Sequence, residues 1–310
     1  MNMKRLLATV ISLVSLVGLA AVPAYCQFPA PGPETTASFG SFKILVDPGL
    51  AHLFTGCPGW DATSRILSSP LLYDPSTVIQ VNAATTESAP HPPLTSPFPA
   101  PPGTTREVLT QIHTLNLATY PPYPPAPNSV YVRAGTAASS APASRGEVES
   151  ESASGTPAND FPARSFFDVY VQITLPGCGT GGFTGATLYN RDHKPLIVSA
   201  SGLTSLPPTV VYEHNASSEV PILFYTPGNG LRKDEFLGCI ILAGHMVGVA
   251  GTPQGGGKGG GRGKGAKKGL ERMERIPPGQ AQEALEKHRE AFERHMKDAE
   301  GHMPHSCKEK

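Results

Sequence analysis

Three histidines near the C-terminus recur every seven residues: His288, His295 and His302. Leu285, Phe292 and Ala299 alternate with them at the same spacing. Neutral imidazole is a good ligand for zinc, copper or nickel, and His305 and Cys307 follow shortly after. Histidines seven apart on one straight helix stand about 10 Å apart, too far to share one ion. A shared site therefore needs a second helix or the chain end around His302, His305 and Cys307. The plainer reading, an amphipathic helix with incidental histidines, is preferred. No cofactor is required, and a divalent transition metal on the tail is the sole metal expectation.

A second group precedes the helix. Lys258, Arg262, Lys264, Lys267 and Lys268 lie in "GTPQGGGKGGGRGKGAKKG", which holds no acidic residue. Such a segment can bind a polyanion such as an acidic polysaccharide or lipid surface. It has no aromatic residue for base stacking, which argues against nucleic acid. The competing reading is a soluble basic spacer, flexible because glycine is so dense. A third group, Glu147, Glu149 and Glu151, alternates in a small, polar stretch. Carboxylate oxygens suit calcium, but the Asp, Asn and Gly of a calcium loop are missing, so a solvated linker is expected.

No GxSxG, no HExxH and no paired catalytic acids occur. His214, His245 and Asp192-His193 are isolated and read as residues of loops and strand ends. The chain is not expected to be an enzyme.

The elements that must carry these groups follow from pattern. Residues 1–24 read as a signal peptide: Lys4 and Arg5, an uncharged apolar run from Leu6 to Val22, then the small residues Val22 and Ala24 before the cut. The chain is expected to be secreted, periplasmic or extracellular, with no transmembrane segment once mature. Export makes disulfides durable, with Cys57, Cys178 and Cys239 as candidates and their connectivity open. Gly and Pro number 33 each and charged residues only 16%, which suits a β-rich chain with stiff loops. Residues 27–250 carry 10 basic and 16 acidic side chains, a net of −6, while residues 251–310 carry 13 and 9, a net of +4.

In "SFFDVYVQITLPG", Phe167, Val169, Val171, Ile173 and Leu175 alternate with polar residues and share one face of a strand. Ser41-Phe42 opens a shorter version, "SFKILVDPG". Each is followed by a cysteine (Cys57, Cys178) and then by Leu-Tyr (Leu72-Tyr73, Leu188-Tyr189). "NSVYVRAG" and "LGCIILAGH" then end both series in Ala-Gly. The same order twice predicts an internal duplication.

The expected fold is mostly β: two related antiparallel sandwich-like units, then a flexible Gly/Lys-rich linker and a C-terminal α-helix. The divisions are a disordered segment 25–35, β unit 1 over 36–135 and an acidic linker over 136–161. β unit 2 then covers 162–250, the basic linker 251–269, and the helix and tail 270–310. The phrase "DFPARSFFDVYVQITLPG" resembles stretches of uncharacterised secreted bacterial β-rich proteins, a group with no established activity. That resemblance implies no site. The expected role is a non-catalytic structural or binding protein whose partner is a cell-surface polyanion or another protein. The alternatives are a metal or polyanion binder acting through its tail, and a secreted hydrolase with an unrecognised site.

Overall fold

The computed structural model describes residues 27–87, 94, 96–99, 103–120, 129–138, 142–190, 194–214, 219–228, 230–247 and 278–300. Residues 1–24, expected as a signal peptide, and the basic Gly-rich segment fall outside these residues. The expectation of a mostly β chain with a C-terminal helix holds: 14 strands form one sheet, and α1 spans Pro278–Ala299.

The strands are β1 (Gly32–Val46), β2 (Trp60–Asp61), β3 (Ile66–Ser68), β4 (Leu72–Glu87), β5 (Thr105–Thr119), β6 (Tyr131–Gly135) and β7 (Ser144–Ser150). They continue as β8 (Ala163–Val169), β9 (Gln172–Cys178), β10 (Phe183–Asn190), β11 (Leu196–Leu203), β12 (Val211–His214), β13 (Val220–Thr226) and β14 (Phe236–Val247). Every pairing is antiparallel, and β14 pairs back onto β1, so the sheet closes. Going round, the wall has eight staves: β1, β4, β5, β6 with β7, β8 with β9, β10 with β11, β12 with β13, and β14. Four staves are long single strands or nearly so, and the other four are broken midway. For example, β5 pairs with β6 through Thr114–Ala118 and with β7 through Glu107–Ile112.

The two units expected from the sequence are therefore not separate. Strands from 36–135 and from 162–250 share their hydrogen bonds at two seams: β1–β14, and the broken stave of β6 and β7 against that of β9 and β8, where β7 comes from the intervening residues. A four-staved half has two open edges, and pairing with the other half satisfies both. The residues expected as a disordered segment and an acidic linker also join the barrel. β1 begins at Gly32, Phe28 is buried, and β7 runs through the middle of 136–161.

The core follows the alternation read from the sequence. Phe167, Val169, Val171, Ile173 and Leu175 all belong to the main buried cluster inside the barrel. One end is plugged by a smaller cluster containing Phe28, Val81, Val108, Val148, Ala163 and Leu203. Asp160 ties the incoming chain there, accepting the Phe28 amide at 2.7 Å and the Arg106 guanidinium at 2.7 Å.

Helix α1 lies on the outer wall. Phe292 and Met296 are buried against Ala37, Phe39, Leu242 and Met246. Tyr120 donates to Glu286 at 3.1 Å, and Lys43 pairs with Glu300 at 2.8 Å.

Candidate functional site: an apolar cavity at one mouth of the barrel

The mouth opposite the plug is open, and the strand pairing explains why. β1 pairs with β4 from Gly32 to Gly40, but beyond Gly40 it pairs with β3 instead. The wall therefore splays between β1 and β4. The gap is covered by the loop before β2, which holds a 3-10 turn at Ala51–Phe54.

Phe54 is fully buried and stacks on Phe183 at 4.7 Å and on Trp60 at 5.6 Å. Thr180 and Gly181 donate backbone hydrogen bonds to the Thr55 carbonyl at 2.9 and 3.1 Å. Glycine is required at the two closest crossings: a Cβ on Gly179 would stand 2.3 Å from the Thr55 carbonyl oxygen, and one on Gly181 would stand 2.2 Å from that of His52. A disulfide between Cys57 and Cys178 pins the covering loop to the β9–β10 turn across a sequence separation of 121. Two of the three candidate cysteines thus pair with each other. Cys239 is wholly buried and also disulfide-bonded, its partner lying outside the described residues.

Beneath the loop is a cavity of about 760 Å³. Phe42, Phe54, Leu67, Val130, Leu175 and Phe183 supply apolar walls, with Ser68, Ser69, Thr119 and Ser129 as polar edges. That size and character suit a small-molecule site, and eight staves are enough for a barrel to hold one small ligand. Among the described residues that line the cavity none pairs a nucleophile with a base; what the walls offer is desolvation of an apolar guest.

A second void of about 50 Å³ lies deeper, bordered by Leu117, Val132, Ile173 and His245. The sequence reading set His245 in a loop or strand end, and this is corrected. It lies within β14, opposite Gly40 of β1 and Tyr212 of β12. Its Nε2 is buried with no hydrogen-bond partner. Burial lowers its pKa to about 4, only partly offset by the Asp74 charge, so the ring is neutral at neutral pH. Asp74 itself is satisfied: it accepts the Thr77 hydroxyl at 2.9 Å and the Asn116 and Ser76 amides at 2.8 and 2.9 Å. Ser38 and Thr77 hydroxyls meet at 2.6 Å. His214 is buried too, with Nδ1 2.9 Å from the Ile197 carbonyl.

The alternating glutamates are also relocated. Val148 faces the end plug, so Glu147 and Glu149 face the outer side of β7 beside Glu107 of β5. All three are buried, and their ligand oxygens lie within 4.8 Å of one another. Phe98 and Pro99, from the proline-rich stretch between β4 and β5, cover them. Arg164 donates to Glu149 at 2.6 Å and to the Pro99 carbonyl at 2.9 Å, and stands 5.0 Å from the centre of the Phe98 ring.

Burial pushes the Glu107 carboxyl up to about 10, helped by its bond to Glu147. Burial raises Glu149 as well, against the pull of Arg164. A proton on Glu107 and the charge of Arg164 together offset two of the three negative charges. The solvated-linker reading failed because a strand, not a loop, carries these residues. Glu151 alone is exposed, accepting the Gly202 amide at 3.2 Å.

The proposed histidine ligands are not gathered among the described residues. His295 pairs with Glu213 on β12 at 2.9 Å, and His288 is half-buried seven residues earlier. His302, His305 and Cys307 lie outside the described residues, as do Lys258, Arg262, Lys264, Lys267 and Lys268. Among the described residues no helix is long and apolar enough to cross a membrane.

The cavity was missed by sequence reasoning because its lining comes from stretches scattered between Phe42 and Phe183. The signals that could have pointed to it were the two Pro-Gly strand ends, each with a cysteine soon after.

No protein-family model and no curated protein matches the chain. Among solved structures it is similar to DynF from the dynemicin biosynthesis pathway of Micromonospora chersina. That likeness has 15% sequence identity and a TM-score of 0.43, over 74% of this chain and 86% of that one.

Proposed function

We propose that the chain is an exported, non-catalytic binding protein that holds an apolar small molecule in the mouth of its barrel. One observation carries the reading: a cavity of about 760 Å³, walled by aromatic and aliphatic side chains, at the unplugged end. The value lies within the range of roughly 300–1,000 Å³ found for small-molecule sites. The covering loop is held by a disulfide, which keeps the walls in place without the guest and lowers the ordering cost of binding.

The test is a titration with a naphthylamine dye that brightens in apolar surroundings. The native chain is expected to bind it saturably at one site. Ser129 borders the cavity, and Ser129→Trp places an indole in it. That variant should bind at least tenfold more weakly while melting at the same temperature. Absence of saturable binding to the native chain, or equal binding by the variant, would overturn the reading.

A further inference from the structure

The outer cavity and the inner void are successive layers of one barrel interior. Thr119, Val130 and Leu175 border the first; Leu117, Val132 and Ile173 border the second. On each strand the two bordering residues are two positions apart, so the layers are about 7 Å apart along the wall. Phe42 borders both and stands between them. Beyond it, the buried Nε2 of His245 lacks a hydrogen-bond partner.

A buried polar atom without a partner is costly, and a ligand group that bonds it recovers that cost. We propose that the guest is an elongated apolar molecule with a hydroxyl at its leading end, which passes Phe42 and hydrogen-bonds His245 Nε2. This rests on the mouth cavity being a binding site and names the class of molecule it takes.

The chemistry of the inner layer selects a hydroxyl over a charged group. A carboxylate would find no cation there: the imidazole is neutral, and Asp74 adds a negative charge nearby. An ammonium would find Asp74 already occupied by donors from Ser76, Thr77 and Asn116. A buried charge without a counter-charge is strongly disfavoured. A hydroxyl both donates and accepts, so it suits either tautomer of the ring. The inner void of about 50 Å³ has room for such a group and not for a ring.

The experiment compares a linear primary alcohol with the alkane of equal length, each displacing the naphthylamine dye from the full disulfide-bonded protein. The native chain is expected to favour the alcohol by roughly tenfold, the worth of one buried hydrogen bond. His245→Leu should abolish that preference while still binding the dye. In the native protein labelled with ¹⁵N-histidine, the alcohol should move the Nε2 resonance of His245 and the alkane should not. Equal affinity for alcohol and alkane, or an Nε2 resonance unmoved by bound alcohol, would overturn the inference even if the dye binds. Failure of the dye itself to bind would instead remove the site on which the inference rests.

Discussion

Glu107 is the residue whose chemistry departs most from its sequence context. In the unfolded chain it ionises near its ordinary value of 4.5, and in the fold only near 10. The folded state therefore holds a proton that the unfolded state releases over that window. Its contribution to stability is whole below about pH 4.5 and is lost progressively as pH rises toward about 10. Glu107→Gln keeps the shape and the hydrogen bond to Glu147 but removes the titration. Urea midpoints measured from about pH 5 to about pH 9 should fall for the native chain and stay flatter for the variant. Parallel slopes would show that another group governs the decline. His245 titrates in the opposite sense, lowered to about 4 from an ordinary 6.5. Protonating it opposes folding, so His245→Leu should reduce the loss of stability on acidification below about pH 6.

At the scale of elements, the covering loop and α1 are the two pieces added to a closed wall. The Cys57–Cys178 bridge closes a loop of over a hundred residues, and its removal costs about 5 kcal/mol on chain-entropy grounds. Cys57→Ser with Cys178→Ser should lower the urea midpoint and open the segment between Asp47 and Gly59 to proteolysis. Unchanged cleavage there would mean that the Phe54 stack holds the loop without the bridge. Helix α1 depends on fewer contacts, with Phe292 at its centre facing Phe39, ring centroids 6.4 Å apart. Phe292→Ala removes roughly 3 kcal/mol of packing. Amide exchange along Pro278–Ala299 should then quicken while exchange in β14 stays slow. Equal acceleration of both would show that helix and barrel unfold together. Phe42 and Phe166, Leu72 and Leu188, and the Ala-Gly pairs of β6 and β14 each lie four staves apart in a ring of eight.

For the whole molecule, the barrel is closed at one end and open at the other. The plug around Phe28, Val108 and Leu203 fills one end with buried apolar side chains. The splayed β1–β4 seam leaves a cavity large enough for a guest. Binding a ligand stabilises the folded state by mass action. Saturating alcohol should therefore raise the melting temperature of the native chain and leave that of Ser129→Trp nearly unchanged. A rise in both would place the alcohol elsewhere, for instance against the face covered by α1.

What the sequence determined by itself was local. Alternation in "SFFDVYVQITLPG" named the five inward residues of one stave, since a strand side chain's face depends only on its position in the chain. The C-terminal helix expected within 270–310 is α1, and its existence was legible because helical bonds are made within the segment. What tertiary structure decided was every pairing across a seam. The partner of β1 is β14, some two hundred residues away, and no local pattern records which of two open edges a strand will meet. For the same reason Glu147 and Glu149 looked like a solvated run and proved buried, and His245 looked like a loop residue and proved to line the interior. The polarity of a side chain is written in the sequence. Whether water reaches it depends on which distant strands close over it.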